Sequence, residues 1–171
     1  MPHRILVIED NLGDALMIQE AVNSLSIAAT LHVITDGEKA LKEIAALDAL
    51  STPDVIIIDL NLPRVSGLTL LTQIRAMQKF ERTAVMVLTS SQSAQDRVKA
   101  EQAGANAFVS KPFTFDDFLQ TVGGAIRSLI SADGSTLNRE RSTHHARPAH
   151  RLERRRSGHR LTGWVRAARQ A

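Results

Sequence analysis

No cysteine occurs among the 171 residues, which excludes a disulfide framework and any thiolate-held metal and fits a reducing compartment, with the cytoplasm as the expected location. Long apolar runs are missing too. Nowhere do about 18 apolar residues follow one another, the length a membrane-spanning helix needs, and Met1-Pro2-His3-Arg4 leads straight into a short strand-like run. Neither a membrane span nor a signal peptide is expected. No internal repeat is present, and no helix-turn-helix pattern follows residue 131. Lysine is absent from the last stretch: residues 139–171 hold 10 Arg against 2 Glu, whereas residues 1–138 hold 11 Lys+Arg against 16 Asp+Glu. The net charge of +3 is thus the sum of +8 and −5, and the basicity belongs to the tail. The acidic body lacks the clustered cations that phosphate contacts need, so nucleic-acid binding by it is not expected.

What is present is a repeated pattern of apolar strands that stop at polar residues. The central one is Asp54-Val-Ile-Ile-Ile-Asp59-Leu-Asn-Leu-Pro63. Its unbroken apolar run reads as a strand buried on both faces of a parallel sheet, ending at Asp59. Pro63 and Gly67 then force the loop that leaves it. Arg4-Ile-Leu-Val-Ile8 repeats the pattern and stops at Glu9-Asp10-Asn11. Asn11 is a candidate N-cap for a helix through about Leu25, in which Ala15, Ile18, Val22 and Leu25 recur at helical spacing. Further strands are read at Leu31–Ile34, Ala84–Leu88 and Ala107–Val109. Helices are read from Glu38 to about Leu47, Leu68 to Met77 and near Ala94 to Ala103. A last helix is marked by Phe115, Phe118, Leu119, Val122, Ile126 and Leu129. Five strand-helix units predict a doubly wound α/β sandwich with a parallel five-stranded sheet, each helix crossing back right-handed over one face. The helix near Ala94 offers only Ala and Val98 to its inner face and is expected to be the thinly anchored, mobile one.

Parallel strands put all their carboxyl ends along one sheet edge, where open α/β sheets hold their ligands. Glu9-Asp10, Asp59, Thr89-Ser90 and Ser110-Lys111-Pro112 all fall there. Two carboxylates about 4 Å apart repel by roughly 4 kcal/mol at an effective dielectric near 20, a strain that a lysine or a divalent cation relieves. Oxygen ligands with room for water suit Mg²⁺ better than zinc. Taken singly, Thr89 is as well read as a helix cap, Phe108 as a core aromatic, Lys111 as a solvated cation and Pro112 as a helix-starting residue.

In order and spacing, Glu9-Asp10, Asp59, Thr89 and Lys111-Pro112 resemble the acidic pair, phosphoacceptor, hydroxyl switch and Lys-Pro of the receiver domains of two-component response regulators, over residues 4 to about 130. Glu-Asp-Asn-x-x-Asp14 and Leu62-Pro-Arg-x-x-Gly67 also look like the single-domain regulators that partner phytochrome-like histidine kinases. The resemblance implies the (βα)5 flavodoxin-like fold with strand order 2-1-3-4-5. It implies that Asp59 takes a phosphoryl group from a sensor histidine kinase in a phosphorelay. Mg²⁺ would be held by Asp10, Asp59 and the backbone carbonyl of Asn61, with Glu9 acting through water. Lys111 would donate to the phosphoryl group, and Thr89 and Phe108 would form the switch. The family often has Tyr at the position of Phe108, so no signal carried by that hydroxyl is available here. The Lys111–Pro112 bond is expected to be cis, because the loop must turn sharply to aim Lys111 at the strand ends. Enzymatic turnover is not expected beyond self-phosphorylation and self-dephosphorylation. Output is expected through a downstream protein or a homodimer on the face made by the helix near Ala94, the Phe108 strand and the last helix.

Two other phosphate-handling folds fit less well. A haloacid-dehalogenase-type phosphohydrolase wants a second Asp two residues after the first, where Asn61 stands. A flavodoxin needs a Ser/Thr-rich phosphate loop after the first strand, where Glu9-Asp10-Asn11 would repel phosphate.

Residues 1–131 are assigned to the receiver-like domain and residues 132–171 to an Arg-rich tail expected to be disordered. Leu161, Trp164, Val165 and Ala168 form a short basic amphipathic pattern within it, and His144, His145 and His150 lack the acids or cysteines a metal site wants. Its all-Arg cations are what a frameshifted reading of GC-rich coding would give, so a translated frameshift stands beside a solvated disordered extension, with a nucleic-acid arm or an anionic-surface helix as the functional readings. The alternative function is a transcription regulator whose basic tail binds DNA.

Overall fold

The computed structural model describes the backbone of residues 1–143 and the side chains of residues 1–132. Five strands, β1 (His3–Ile8), β2 (Ala29–Ile34), β3 (Val55–Ile58), β4 (Ala84–Thr89) and β5 (Ala107–Ser110), form one sheet in the order β2-β1-β3-β4-β5. All four pairings are parallel. Among the described residues the helices are α1 (Leu12–Asn23), α2 (Gly37–Ala46), α3 (Gly67–Ala76), α4 (Ala94–Gln102) and α5 (Phe115–Thr143), with a 3-10 turn at Gln78–Phe80. Their starts follow side-chain caps: Asn11, Asp36, Ser66 and Ser93 each accept a backbone N–H from the first turn of α1, α2, α3 and α4.

The apolar runs are buried on both sides because successive residues point to opposite faces. On one face Leu6, Ile8, Ile56, Ile58, Val85 and Val87 pack against Ala40 and Ile44 of α2, Leu70, Leu71 and Ile74 of α3, and Ala100 of α4. On the other, Ile5, Val7, Val55, Ile57, Met86 and Leu88 pack against Ile18, Ala21 and Val22 of α1 and Phe118, Val122 and Ile126 of α5. Each such aliphatic side chain contributes about 1.5–3 kcal/mol on burial, which fixes the register: a slip of one residue would exchange the two faces.

Three expectations are corrected. Val98 does not anchor α4: it is 48% exposed and Ala100 is the buried residue of that helix, so the helix is held by even less apolar surface than the pattern suggested. Phe115 opens α5 but is 51% exposed, leaving Phe118, Val122 and Ile126 to anchor it. The last helix also runs past Leu129 to Thr143. The end of an apolar period ends packing, not hydrogen bonding. Once nucleated a helix propagates cheaply, and Gly134 costs only about 1 kcal/mol relative to Ala. The readings of the tail from residue 144 on, including its amphipathic pattern, its histidines and its disorder, lie outside the described residues. Among the described residues no helix is long and apolar enough to cross a membrane.

Candidate functional site

Register brings the acids together. Ile8 of β1 stands beside Ile58 of β3, and Asp59 N–H donates to the Ile8 carbonyl at 3.1 Å, so Glu9 and Asp59 leave the sheet side by side. Both are buried, at 1% and 5% exposure. Asp10 is exposed at the rim, and one carboxylate oxygen from each of Glu9, Asp10 and Asp59 lies within 4.8 Å of the others. Three carboxylates converging on one point form an all-oxygen donor set of the kind that hard divalent cations take.

Lys111 enters from the far side of the sheet. It follows β5, its N–H donates to the Thr89 carbonyl at 2.8 Å, and its ammonium donates to Glu9 Oε2 at 2.8 Å, Asp14 Oδ2 at 2.7 Å and Asp59 Oδ2 at 2.9 Å. Burial alone would push the Lys111 pKa down, but the three carboxylates outweigh it and hold the pKa above the usual lysine value. Glu9 moves the other way from most paired acids: burial pushes its carboxyl up, Lys111 offsets only part of that, and Asp59 adds repulsion.

The loop after β3 is folded back on the site. Asn61 N–H donates to Asp59 Oδ1 at 3.1 Å, and the Asn61 side-chain amide donates to Thr89 Oγ1 at 3.3 Å and Ser90 Oγ at 3.4 Å. Gly67 is required beneath it, since a Cβ there would stand 2.0 Å from the Asp59 carbonyl oxygen. Arg64 has φ +65 and is the centre of a tight turn closed by Val65 N–H on the Pro63 carbonyl at 2.7 Å, a strained conformation for a residue with a side chain. Its guanidinium pairs with Asp36 and Glu38 at the start of α2.

Of the residues singled out from sequence, Glu9 and Asp59 meet Lys111 directly, and Asp10 brings a carboxylate oxygen within 4.8 Å of theirs. Thr89 is fully buried and reaches Asp59 through Asn61. Phe108 lies outside this group, buried on the α4 side, with the Arg97 guanidinium 4.6 Å from its ring centre and donating to its carbonyl at 3.3 Å. Pro112 is half-buried directly after Lys111. Two participants went unassigned in the sequence. Asp14 had a signal, an acid three residues after a capping Asn, where Asn11 Oδ1 accepts from both Gly13 N–H and Asp14 N–H. Arg97 had none, because an exposed helical Arg four residues after a cap is ordinary.

Residues 5–123 match the model of the response regulator receiver domain. Response regulator Rcp1 from Synechocystis is 29% identical over 126 residues, which cover 72% of this chain and 86% of Rcp1. The phosphorylated cyanobacterial phytochrome response regulator RcpA superposes with a TM-score of 0.70 at 27% identity, covering 77% of this chain and 96% of RcpA. The Mn²⁺-bound form of Rcp1 gives a TM-score of 0.66 at 28% identity, covering 72% of this chain and 91% of that one. Carboxylates gathered at the ends of β1 and β3 around a lysine from the end of β5, on a sheet of this order and with this match along the chain, place the protein in the response regulator receiver domain family.

Proposed function

We propose that Asp59 is the phosphoacceptor of a single-domain response regulator, charged by a sensor histidine kinase. The observation that carries this is the Lys111 ammonium 2.9 Å from Asp59 Oδ2, at the end of the central strand and within a nest of acids. An Asp59 carboxylate oxygen attacks the phosphorus of a phosphohistidine. The new oxygen–phosphorus bond forms as the phosphorus–nitrogen bond breaks, and the electron pair stays on the imidazole. Lys111 donates an N–H to a phosphoryl oxygen, stabilising charge where it develops. Asn61 keeps the Asp59 carboxylate oriented through its backbone N–H. Asp10, Asp59 and the Asn61 backbone carbonyl would hold a divalent cation, for which Mg²⁺ is the proposed identity, with Glu9 acting through water. When bound, that cation neutralises charge on the transferring group.

The phosphoryl group adds a charge of about −1.5 to −2 beside Thr89. Moving the active population from about 1% to 99% takes roughly 5.5 kcal/mol, within reach of a few charge-assisted hydrogen bonds. With only Ala100 buried, α4 is the element such a bias moves most easily. Output is therefore proposed at the face made by α4, β5 and α5, through a homodimer or a downstream protein. The likeness to RcpA makes a phytochrome-like kinase the partner to test first, and the cytoplasm is the compartment such a relay would occupy.

Incubation with acetyl phosphate and Mg²⁺ should add one phosphoryl group by intact mass. Asp59→Asn should add none, and a labelled Asp59→Asn chain would show that another residue is the acceptor.

A further inference from the structure

An ammonium group has three protons, and Lys111 aims each at a different carboxylate. Two of these, Glu9 and Asp59, arrive on strand ends. The third, Asp14, arrives on the first turn of α1, makes the shortest of the three contacts at 2.7 Å, and is the most open to solvent, at 21% against 1% and 7% for the other two side chains. It lies outside the group of Glu9, Asp10 and Asp59 whose oxygens converge. Glu9, Asp10, Asp14 and Asp59 against Lys111 leave the site at −3 with every group ionised. A divalent cation brings it to −1, and the same cation in a site without the Asp14 charge brings it to 0. The charge of Asp14 therefore acts on whatever enters, with opposite sign for a cation and for an anionic phosphoryl donor.

We propose that Asp14 is a positioning residue of the phosphoryl site, which fixes the Lys111 ammonium and whose charge tightens binding of the divalent cation while opposing entry of an anionic phosphoryl donor. The proposal rests on the reading of Asp59 as phosphoacceptor. Asp14 touches neither the reacting atoms nor the cation. It works through Lys111 and through its field. When acetyl phosphate is the donor, the Asp59 oxygen–phosphorus bond forms as the bond from phosphorus to the acetyl oxygen breaks, and acetate leaves with the electron pair. An Asn at position 14 keeps an oxygen that can accept from Lys111 and removes only the charge.

The test uses the full chain as wild type, Asp14→Asn and Asp14→Glu. Calorimetric titration with Mg²⁺ reads the dissociation constant. Intact mass at saturating Mg²⁺ reads the half-saturation concentration and the maximal rate for acetyl phosphate and for the less negative donor phosphoramidate. Asp14→Asn should weaken Mg²⁺ about three- to tenfold and lower the half-saturation concentration of acetyl phosphate by about the same factor, with a smaller change for phosphoramidate. Asp14→Glu should return both to near wild type. If Asp14 were only a structural prop, Asp14→Asn would impair cation and donor together or neither, without regard to donor charge. Either pattern overturns the proposal. A wild-type chain that takes up no phosphoryl group overturns the phosphoacceptor reading and this proposal with it, whereas a labelled wild type with an unshifted Asp14→Asn overturns this proposal alone.

Discussion

Two partly buried cations sit at opposite ends of the sheet and are held in opposite ways. At the carboxyl edge, Lys111 is ringed by the carboxylates of Glu9, Asp14 and Asp59. At the amino edge, Arg75 of α3 donates to the carbonyls of Gly104 at 2.8 Å, Thr83 at 2.9 Å and Phe80 at 3.3 Å, and to the side-chain oxygen of Asn106. Burial pushes both pKa values down. It prevails for Arg75, whose partners are neutral, and it loses for Lys111, whose partners are anions. The charge of the partners, not the depth of the cation, separates a site from a clip. On the proposed reading of Asp59 as phosphoacceptor, Lys111 would exchange one of its anions for an arriving phosphoryl oxygen, whereas Arg75, among carbonyls, stitches α3 to the loops that lead into β4 and β5.

The sharpest way to break this contrast is to neutralise each cation in turn. Lys111→Met should slow phosphoryl uptake from acetyl phosphate about a hundredfold or more, as loss of a charged donor at a developing oxyanion does. Uptake at the wild-type rate would remove Lys111 from the chemistry. Arg75→Met should instead leave uptake unchanged and cost about 2–3 kcal/mol of stability in urea titration, because several carbonyls lose a charged donor at once. A slowed reaction in a stable Arg75→Met chain would place both ends in one functional network.

A smaller effect concerns Glu9, whose folded pKa is raised. A raised carboxyl means that the folded state binds its proton at higher pH than the unfolded state, so the charged form weakens the fold above that pKa and the penalty is relieved as pH falls through it. In chelator at pH 7–8, Glu9→Gln should be more stable than wild type by about 1 kcal/mol, a few degrees in melting temperature. The gap should close as pH falls towards the ordinary carboxylate range. A gap that widens on acidification would reverse the sign assigned to Glu9. For Lys111 the sign is opposite: its ion pairs contribute fully below the ordinary lysine value of 10.5 and fade only as pH rises beyond it. The smallest effect is expected at Arg97, the exposed cation over Phe108, where Arg97→Ala should cost under about 1 kcal/mol. A larger loss would make that contact part of the core.

Much of this architecture could be read along the chain. Strand runs ending in acids, the cap at Asn11 and the Pro63 to Gly67 loop all carry local signals, and each element appears within about two residues of where its pattern puts it, apart from the end of α5. The departures have two causes. Helical spacing alone points Val98 and Phe115 inward, but a single apolar residue on a short, polar helix or at a helix start has no local signal for the side it faces. The continuation of α5 was hidden because apolar periodicity reports packing, while a helix end is set by backbone hydrogen bonding and breakers.

Side-chain period and backbone propensity over a few neighbours set the alternation of strands and helices, the two-faced burial of Ile56, Ile57 and Ile58, and which residues stand at strand ends. The packing of distant segments is what gives the third proton of Lys111 to Asp14, lets Asn61 bridge Asp59 to Thr89, and sets Arg97 over Phe108. Apart from the short step between Asp59 and Asn61, those contacts join residues 11, 28 and 97 positions apart. Nothing local encodes them, since they depend on parallel register and on the rotation of each helix over its face of the sheet.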